Sequence, residues 1–238
     1  MGDMLRALVK VTLMAYAIGG CAYHGPAQTD IDNPAVRKVA WFSYLDGNDI
    51  RQGCTPGSLD RFRLVYNGQY EKQVRSYEIT QASPTPGGAY FVARAMGATN
   101  LAEVRLDDLL APWRWHRSDL QLSPGDFEQF SDLLLQSGWG QGAPQGKILH
   151  SRDFYWVVSG CRNGQFHFDA WVDAQGDFKE IRFQDFLLAR DRTGVAFRKP
   201  VPVTPRDRTE QGRPRDRSAT IFVLTVSGEG IGGLLNAF

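Results

Sequence analysis

The chain has 238 residues, 42% of them hydrophobic and 22% charged, the proportions of an ordinary globular protein. A net charge of +1 and a pI near 7.7 exclude a strong overall field towards nucleic acid or an acidic surface. Beyond the first twenty residues there is enough chain for one large domain or two small ones. No later segment stays apolar over the ~20 residues that a membrane-spanning helix needs.

Arg6 and Lys10 give the first ten residues a positive bias, partly offset by Asp3, and Val11 to Gly20 is uncharged and mostly apolar. A basic stretch followed by a short apolar one is the pattern of a secretory signal. Ile18-Gly19-Gly20-Cys21 resembles the lipobox of bacterial lipoproteins: an aliphatic residue and two small ones before a cysteine. The resemblance covers the first 21 residues and departs at Ile18, where leucine is the commonest choice. It implies cleavage before Cys21, a diacylglyceryl group on its thiol and, usually, acylation of the new amine. Ala22 stands where an inner-membrane-retained lipoprotein often carries aspartate, which leans towards the outer membrane. The implied partner is thus a membrane, held through the N-terminal lipid, since two or more acyl chains anchor stably where one is marginal. The competing readings are a buried N-terminal helix with an incidental cysteine, and a secreted domain without lipid.

With Cys21 lipidated, Cys54 and Cys161 remain as a pair in an oxidising compartment, which predicts a disulfide. It would close a loop of on the order of 100 residues, worth ~4–5 kcal/mol in the chain-entropy account. The alternative is two free buried cysteines. No CxxC spacing suggests a metal site.

Taken in order, residues 1–20 read as the signal peptide and residues 21–36 as a polar, proline-broken lipidated tether. Residues 37–199 then read as a globular α+β domain. Lys38 to Leu45 crowds apolar side chains on both faces and predicts an interior strand, closed by the turn residues Asp46 to Asp49. Arg61 to Tyr66, Asn67-Gly68 and Gln73 to Thr80 predict a hairpin, because Asn-Gly readily takes the positive φ of a type I′ turn. Ala89 to Ala95 predicts the next strand and Asn100 to Leu110 a short helix. Ser123 to Ser137 predicts a helix with Ser123 as cap, Pro124 at its first position, Asp126 completing an approximate capping box, and an apolar stripe of Phe127, Phe130, Leu133 and Leu134. Asp153 to Cys161 and Gln165 to Asp173 flank Asn163-Gly164 and predict a second hairpin. On its return strand Phe166, Phe168, Ala170 and Val172 form the core face, and His167, Asp169, Trp171 and Asp173 the wetter one. Gln175-Gly176-Asp177 turns the chain into Phe178 to Phe186. Residues 200–217, rich in Pro, Arg, Asp and Thr, predict a mobile segment. Residues 218–238 predict a last strand, Ala219 to Val226, and a glycine-rich tail. The fold class is therefore α+β: antiparallel sheet or sheets built from two hairpin regions with a helical segment between them.

Gly228-Glu229-Gly230-Ile231-Gly232-Gly233 has the spacing of a dinucleotide fingerprint, but that mechanism needs a following helix, a second strand and an acidic residue about 20 positions on. Only Leu234 to Phe238 follow, so a flexible tail is the better reading. Four histidines stand at no metal-ligand spacing, and neither a cofactor nor a metal is expected. Trp113-Arg114-Trp115, with Trp171 on its wetter face, could form a binding surface for an envelope protein or glycan; core packing with cation–π contacts is the competing reading. The function expected is that of a lipid-anchored cell-envelope protein, acting as a binding, accessory or assembly component. The alternative is an envelope hydrolase using His167 and Asp169 with Cys161 or Ser159. No catalytic set stands out, and no nucleic-acid partner is expected.

Overall fold

Alternating apolar residues with Gly, Asn and Pro between them produce most of the structure. The computed structural model describes residues 31–84, 87–97, 111–142, 145–210, 221–228 and 230–232. The leader, Cys21 and the helix expected at Asn100 to Leu110 lie outside the described residues.

Among the described residues two short helices come first, Pro34–Asp46 (α1) and Asn48–Gly53 (α2). Arg61–Gly68 (β1), Val74–Gln81 (β2), Ala89–Met96 (β3) and His116–Leu122 (β4) follow as an antiparallel meander. Pro124–Gln136 (α3) and the short strand Ile148–His150 (β5) lead into a second hairpin, Phe154–Arg162 (β6) and Gln165–Val172 (β7). The helices Gln184–Arg190 (α4) and Pro205–Glu210 (α5) and the strands Val223–Ser227 (β8) and Gly230–Gly232 (β9) complete the described chain. Pairing of β1 with β6 joins the two hairpin regions into one six-stranded sheet of order β4-β3-β2-β1-β6-β7, beside a three-stranded sheet of order β5-β8-β9. The chain is α+β, with a helix between the strand groups, as the sequence predicts.

Both faces of the large sheet are covered. On one, α3 sets Phe127, Phe130 and Leu134 against Phe62, Tyr77, Phe91, Trp156 and Trp171, joined by Phe183 and Leu187 near and within α4. On the other, Trp41, Tyr44 and Leu45 of α1 and Leu224 and Val226 of β8 cover Val65, Val157, Phe168 and Ala170. The expected capping box of α3 is present: the Asp126 N–H donates to Ser123 Oγ at 3.1 Å and the Ser123 N–H to the Asp126 carboxylate at 3.3 Å.

Several expectations are corrected. Lys38 to Leu45 is helical, not a strand: Arg37, Trp41, Tyr44 and Leu45 are buried at helical three- and four-residue spacing, and Pro34 opens the helix. Asn67-Gly68 continues β1 instead of turning; the Asn67 side-chain amide donates to the Ser151 and Asp153 carbonyls, and Gln69 takes the positive φ of +63°. Asn163-Gly164 does make its turn, with φ of +52° and +74°. Residues 178–186 contain a 3₁₀ turn, Asp177–Glu180, and the start of α4. Within the 200–217 segment α5 is helical, and residues 211–217 lie outside the described residues. Of the glycine-rich end, Gly230–Gly232 is a strand paired to β8, whose Ile231 N–H donates to Asp46 of α1 at 2.6 Å.

A ladder of buried charge crosses the α1 face of the sheet. Asp49 accepts from Arg63 at 2.6 Å and pairs with Arg61 at 2.8 Å; Glu78 bridges Arg63 at 2.8 Å and Arg94 at 3.2 Å; Asp32 pairs with Arg94 at 2.8 Å and Arg117 at 3.1 Å. Burial alone would raise the Glu78 carboxyl, but Arg63, Arg94 and Arg61 outweigh it and hold it at about 2. Tyr44 stacks under the Arg63 guanidinium at 3.9 Å, and burial pushes its phenol up to about 12. The ladder reaches back to Asp32, and Ile31 is fully buried, so residues within the stretch expected to be tether are packed against the domain.

Candidate functional site: a cleft at the β7 edge

Among the described residues β7 is an edge strand, and its outer side forms the floor of an open cleft of about 580 Å³. The 140–142 loop, which follows α3, rises on one side, and Arg51 of α2 and Gly228 of the β8–β9 turn stand on the other.

The backbone of β7 can be oriented from its side-chain contacts. The Ala170 carbonyl accepts from Lys147 Nζ at 3.0 Å, and the Val172 N–H donates to Asp177 at 3.0 Å. Both peptide groups therefore point away from β6. In an antiparallel ladder this direction alternates along the strand. The N–H and C=O groups of Phe168 and Phe166 thus also point outward, into the cleft. Lys147 and Asp177 cover the edge at residues 170 and 172. At 166 and 168 no hydrogen-bond partner is present among the described residues.

Side chains from both faces of β7 reach this edge. Phe166 lies beneath the Arg51 guanidinium, 4.6 Å from ring centre to Cζ, and Arg51 is itself paired to Asp46 at 3.4 Å. His167 stands edge-on to Trp139 at 5.2 Å. Asp169 accepts from the Gly140 N–H at 2.8 Å, and Gly140 holds a φ of +82°, which directs that N–H at the carboxylate. Burial pushes the Asp169 carboxyl up to about 6, against the opposing pull of the Gly140 N–H and Lys147. His167 and Asp169 alternate on one strand face, about 7 Å apart along the backbone. The cleft thus offers two outward peptide groups, a carboxyl that changes charge near neutrality, an imidazole and a guanidinium. Among the described residues that line it there is no serine, threonine or cysteine.

The sequence-predicted residues are distributed as follows. Cys54 and Cys161 are bridged, with Cα atoms 5.5 Å apart across a separation of 107 residues. Cys161 is therefore no thiolate nucleophile. Ser159 lies on the α1 face of β6, under Gly47, whereas His167 and Asp169 lie on the α3 face, so the expected hydrolase set does not assemble. Trp171 is corrected from a wetter position: it is 5% exposed in the core beneath α3 and donates its indole N–H to the Ser137 carbonyl at 3.1 Å. The structure does not bring it to Trp113, Arg114 and Trp115, which lie just before β4 at the opposite edge of the sheet. There Trp115 donates to the Ile31 carbonyl at 2.9 Å and Arg37 caps its ring at 4.9 Å, while Trp113 and Arg114 are exposed. Among the described residues no group of three or more His, Cys, Asp or Glu could hold a metal ion. Sequence reasoning missed the cleft; Asp169 on an alternating strand was its one visible sign.

Comparison of the chain with protein-family models, with curated proteins and with solved structures finds no match.

Proposed function

We propose that this is an exported, lipid-anchored cell-envelope protein acting as a binding or assembly component, and that it binds an extended segment of a partner along the open half of the β7 edge. The observation that carries the binding mode is the pair of outward peptide groups at Phe166 and Phe168, set in a cleft instead of capped as at Ala170 and Val172. An added strand would satisfy these groups, and the alternating side chains beside them would supply selectivity, as in other cases of β-augmentation. Arg51 and His167 on the cleft wall favour a segment carrying a carboxylate. The Cys54–Cys161 bridge supports an oxidising address, and the lipobox resemblance supports the anchor.

A photoreactive residue at Gln141 on the cleft loop, compared with one at Gln121 on the β4 edge, tests this in intact envelopes. Adducts to a polypeptide are expected from position 141 alone, together with slowed amide exchange at Phe166 and Phe168. Equal labelling at both positions with unchanged exchange would refute it.

A further inference from the structure

The first described residues lie against an exposed aromatic and basic surface. Ile31 is fully buried, and its carbonyl accepts from the Trp115 indole at 2.9 Å. Asp32 is fixed by Arg94 at 2.8 Å and Arg117 at 3.1 Å. Arg37 donates to the Trp113 carbonyl and stacks over Trp115. This clamps the 113–117 segment to residues 31–37. What faces outward is Trp113, 37% exposed, with Arg114 and His116 beside it. The other tryptophans apart from Trp115 are buried: Trp41, Trp139, Trp156 and Trp171 are all 5% exposed or less.

We propose that the Trp113-Arg114-Trp115-His116 surface rests on the phospholipid headgroups of the membrane that holds the anchor. The inference depends on the reading of Cys21 as lipidated. From Cys21 to Ile31 is ten residues of chain, which span at most about 35 Å extended and on the order of 18 Å as a flexible coil. The bilayer interface lies within that reach, and a short tether holds the surface at high effective concentration against it. Amphipathic indoles settle at headgroup level, and basic side chains favour an anionic surface. A scattered exposed tryptophan would need no explanation. One placed where the tether enters the body has the membrane as its nearest large neighbour. The same geometry leaves the β7 cleft, at the far edge of the sheet, available to a partner in solution.

The experiment uses the full-length protein reconstituted in phosphatidylethanolamine–phosphatidylglycerol vesicles containing lipids brominated near the headgroup. Tryptophan quenching and intact mass are read on the same sample. Wild type is expected to be quenched, and Trp113→Phe to lose most of that quenching while keeping its fold, because the side chain is exposed. Tyr90→Trp in the Trp113→Phe background serves as control. Position 90 is the other large exposed aromatic among the described residues and pairs with Gln121, about 17 Å along β4 from His116; it should stay unquenched. With lipid mass present, an unquenched wild type overturns the headgroup contact alone and leaves the anchor standing; a protein seated on Trp113 in place of lipid would give this result. Equal quenching at positions 113 and 90 overturns the assigned orientation. Absence of lipid mass on Cys21 overturns the anchor reading and this inference with it.

Discussion

Asp169→Asn is expected to stabilise the protein at neutral and higher pH and to have no effect in acid. Asp169 is 6% exposed, and burial raises its carboxyl from 3.8 to about 6. A carboxyl raised on folding favours the folded state fully only below the unfolded value. That advantage is lost as pH rises through about 6, where the buried group must ionise. Two pH units correspond to ~3 kcal/mol at most. The cleft is open to water, so about 1–2 kcal/mol is the realistic magnitude. Asparagine keeps an oxygen to accept the Gly140 N–H and removes the charge. The stability difference between variant and wild type should therefore be near zero below about pH 4, grow between about pH 4 and 6, and level off above about pH 7. At about 2–4 °C per kcal/mol for a chain of this size, the plateau is a gain of ~2–8 °C in Tm. Thermal and urea unfolding of both proteins across a pH series measures it. A difference independent of pH, or a variant less stable at about pH 8, would show that Gly140 and Lys147 stabilise the carboxylate more than burial destabilises it.

Three further outcomes follow from the fold. Glu78→Gln removes the negative charge between Arg63 and Arg94 and one of its two acceptor oxygens, leaving buried guanidinium charge less compensated, a loss of about 3–5 kcal/mol at neutral pH read from the urea midpoint. Because Glu78 is held at about 2 against an ordinary 4.5, its contribution is present above 4.5 and lost as pH falls through about 2, so the deficit should shrink in strong acid. Replacing Cys54 and Cys161 together by serine should cost ~5 kcal/mol, since the bridge spans 107 residues, and a reductant should reproduce the loss in wild type alone. Ser123→Ala removes the cap of α3 and should lower stability by about 1 kcal/mol, detectable as a drop of a few degrees in Tm.

The strands and α3 were legible because their signals are local. Asn163-Gly164 adopts the positive φ that the pair favours, and Ser123, Pro124 and Asp126 carry the start of a helix in four residues. The first helix was not legible in the same way. Val39, Trp41, Phe42 and Tyr44 form a β-branched and aromatic run that suits a strand, and only the spacing of Arg37, Trp41, Tyr44 and Leu45 betrays the helical face. Asn67-Gly68 was misleading because tertiary acceptors at Ser151 and Asp153 hold Asn67 in the strand. The two faces of β7 alternate as the sequence predicts, but the alternation cannot show that α3 and α4 cover the second face and bury Trp171. The same blindness hid the ladder: Arg61, Arg63, Glu78 and Arg94 look like a solvated strand face until α1 and α2 lie on it. Of the candidate site, the disulfide was anticipated from the compartment. The cleft was not, because it depends on β7 being an edge and on where Lys147 and Asp177 cover it.

The anchor proposed at Cys21 and the bridge between Cys54 and Cys161 can both be read by one intact-mass measurement on protein purified from membranes. The mass should lack residues 1–20, carry a diacylglyceryl group, with or without an N-acyl chain, and fall two hydrogens below that of the reduced chain. A mass that retains residues 1–20, carries no lipid and shows three free thiols would contradict it.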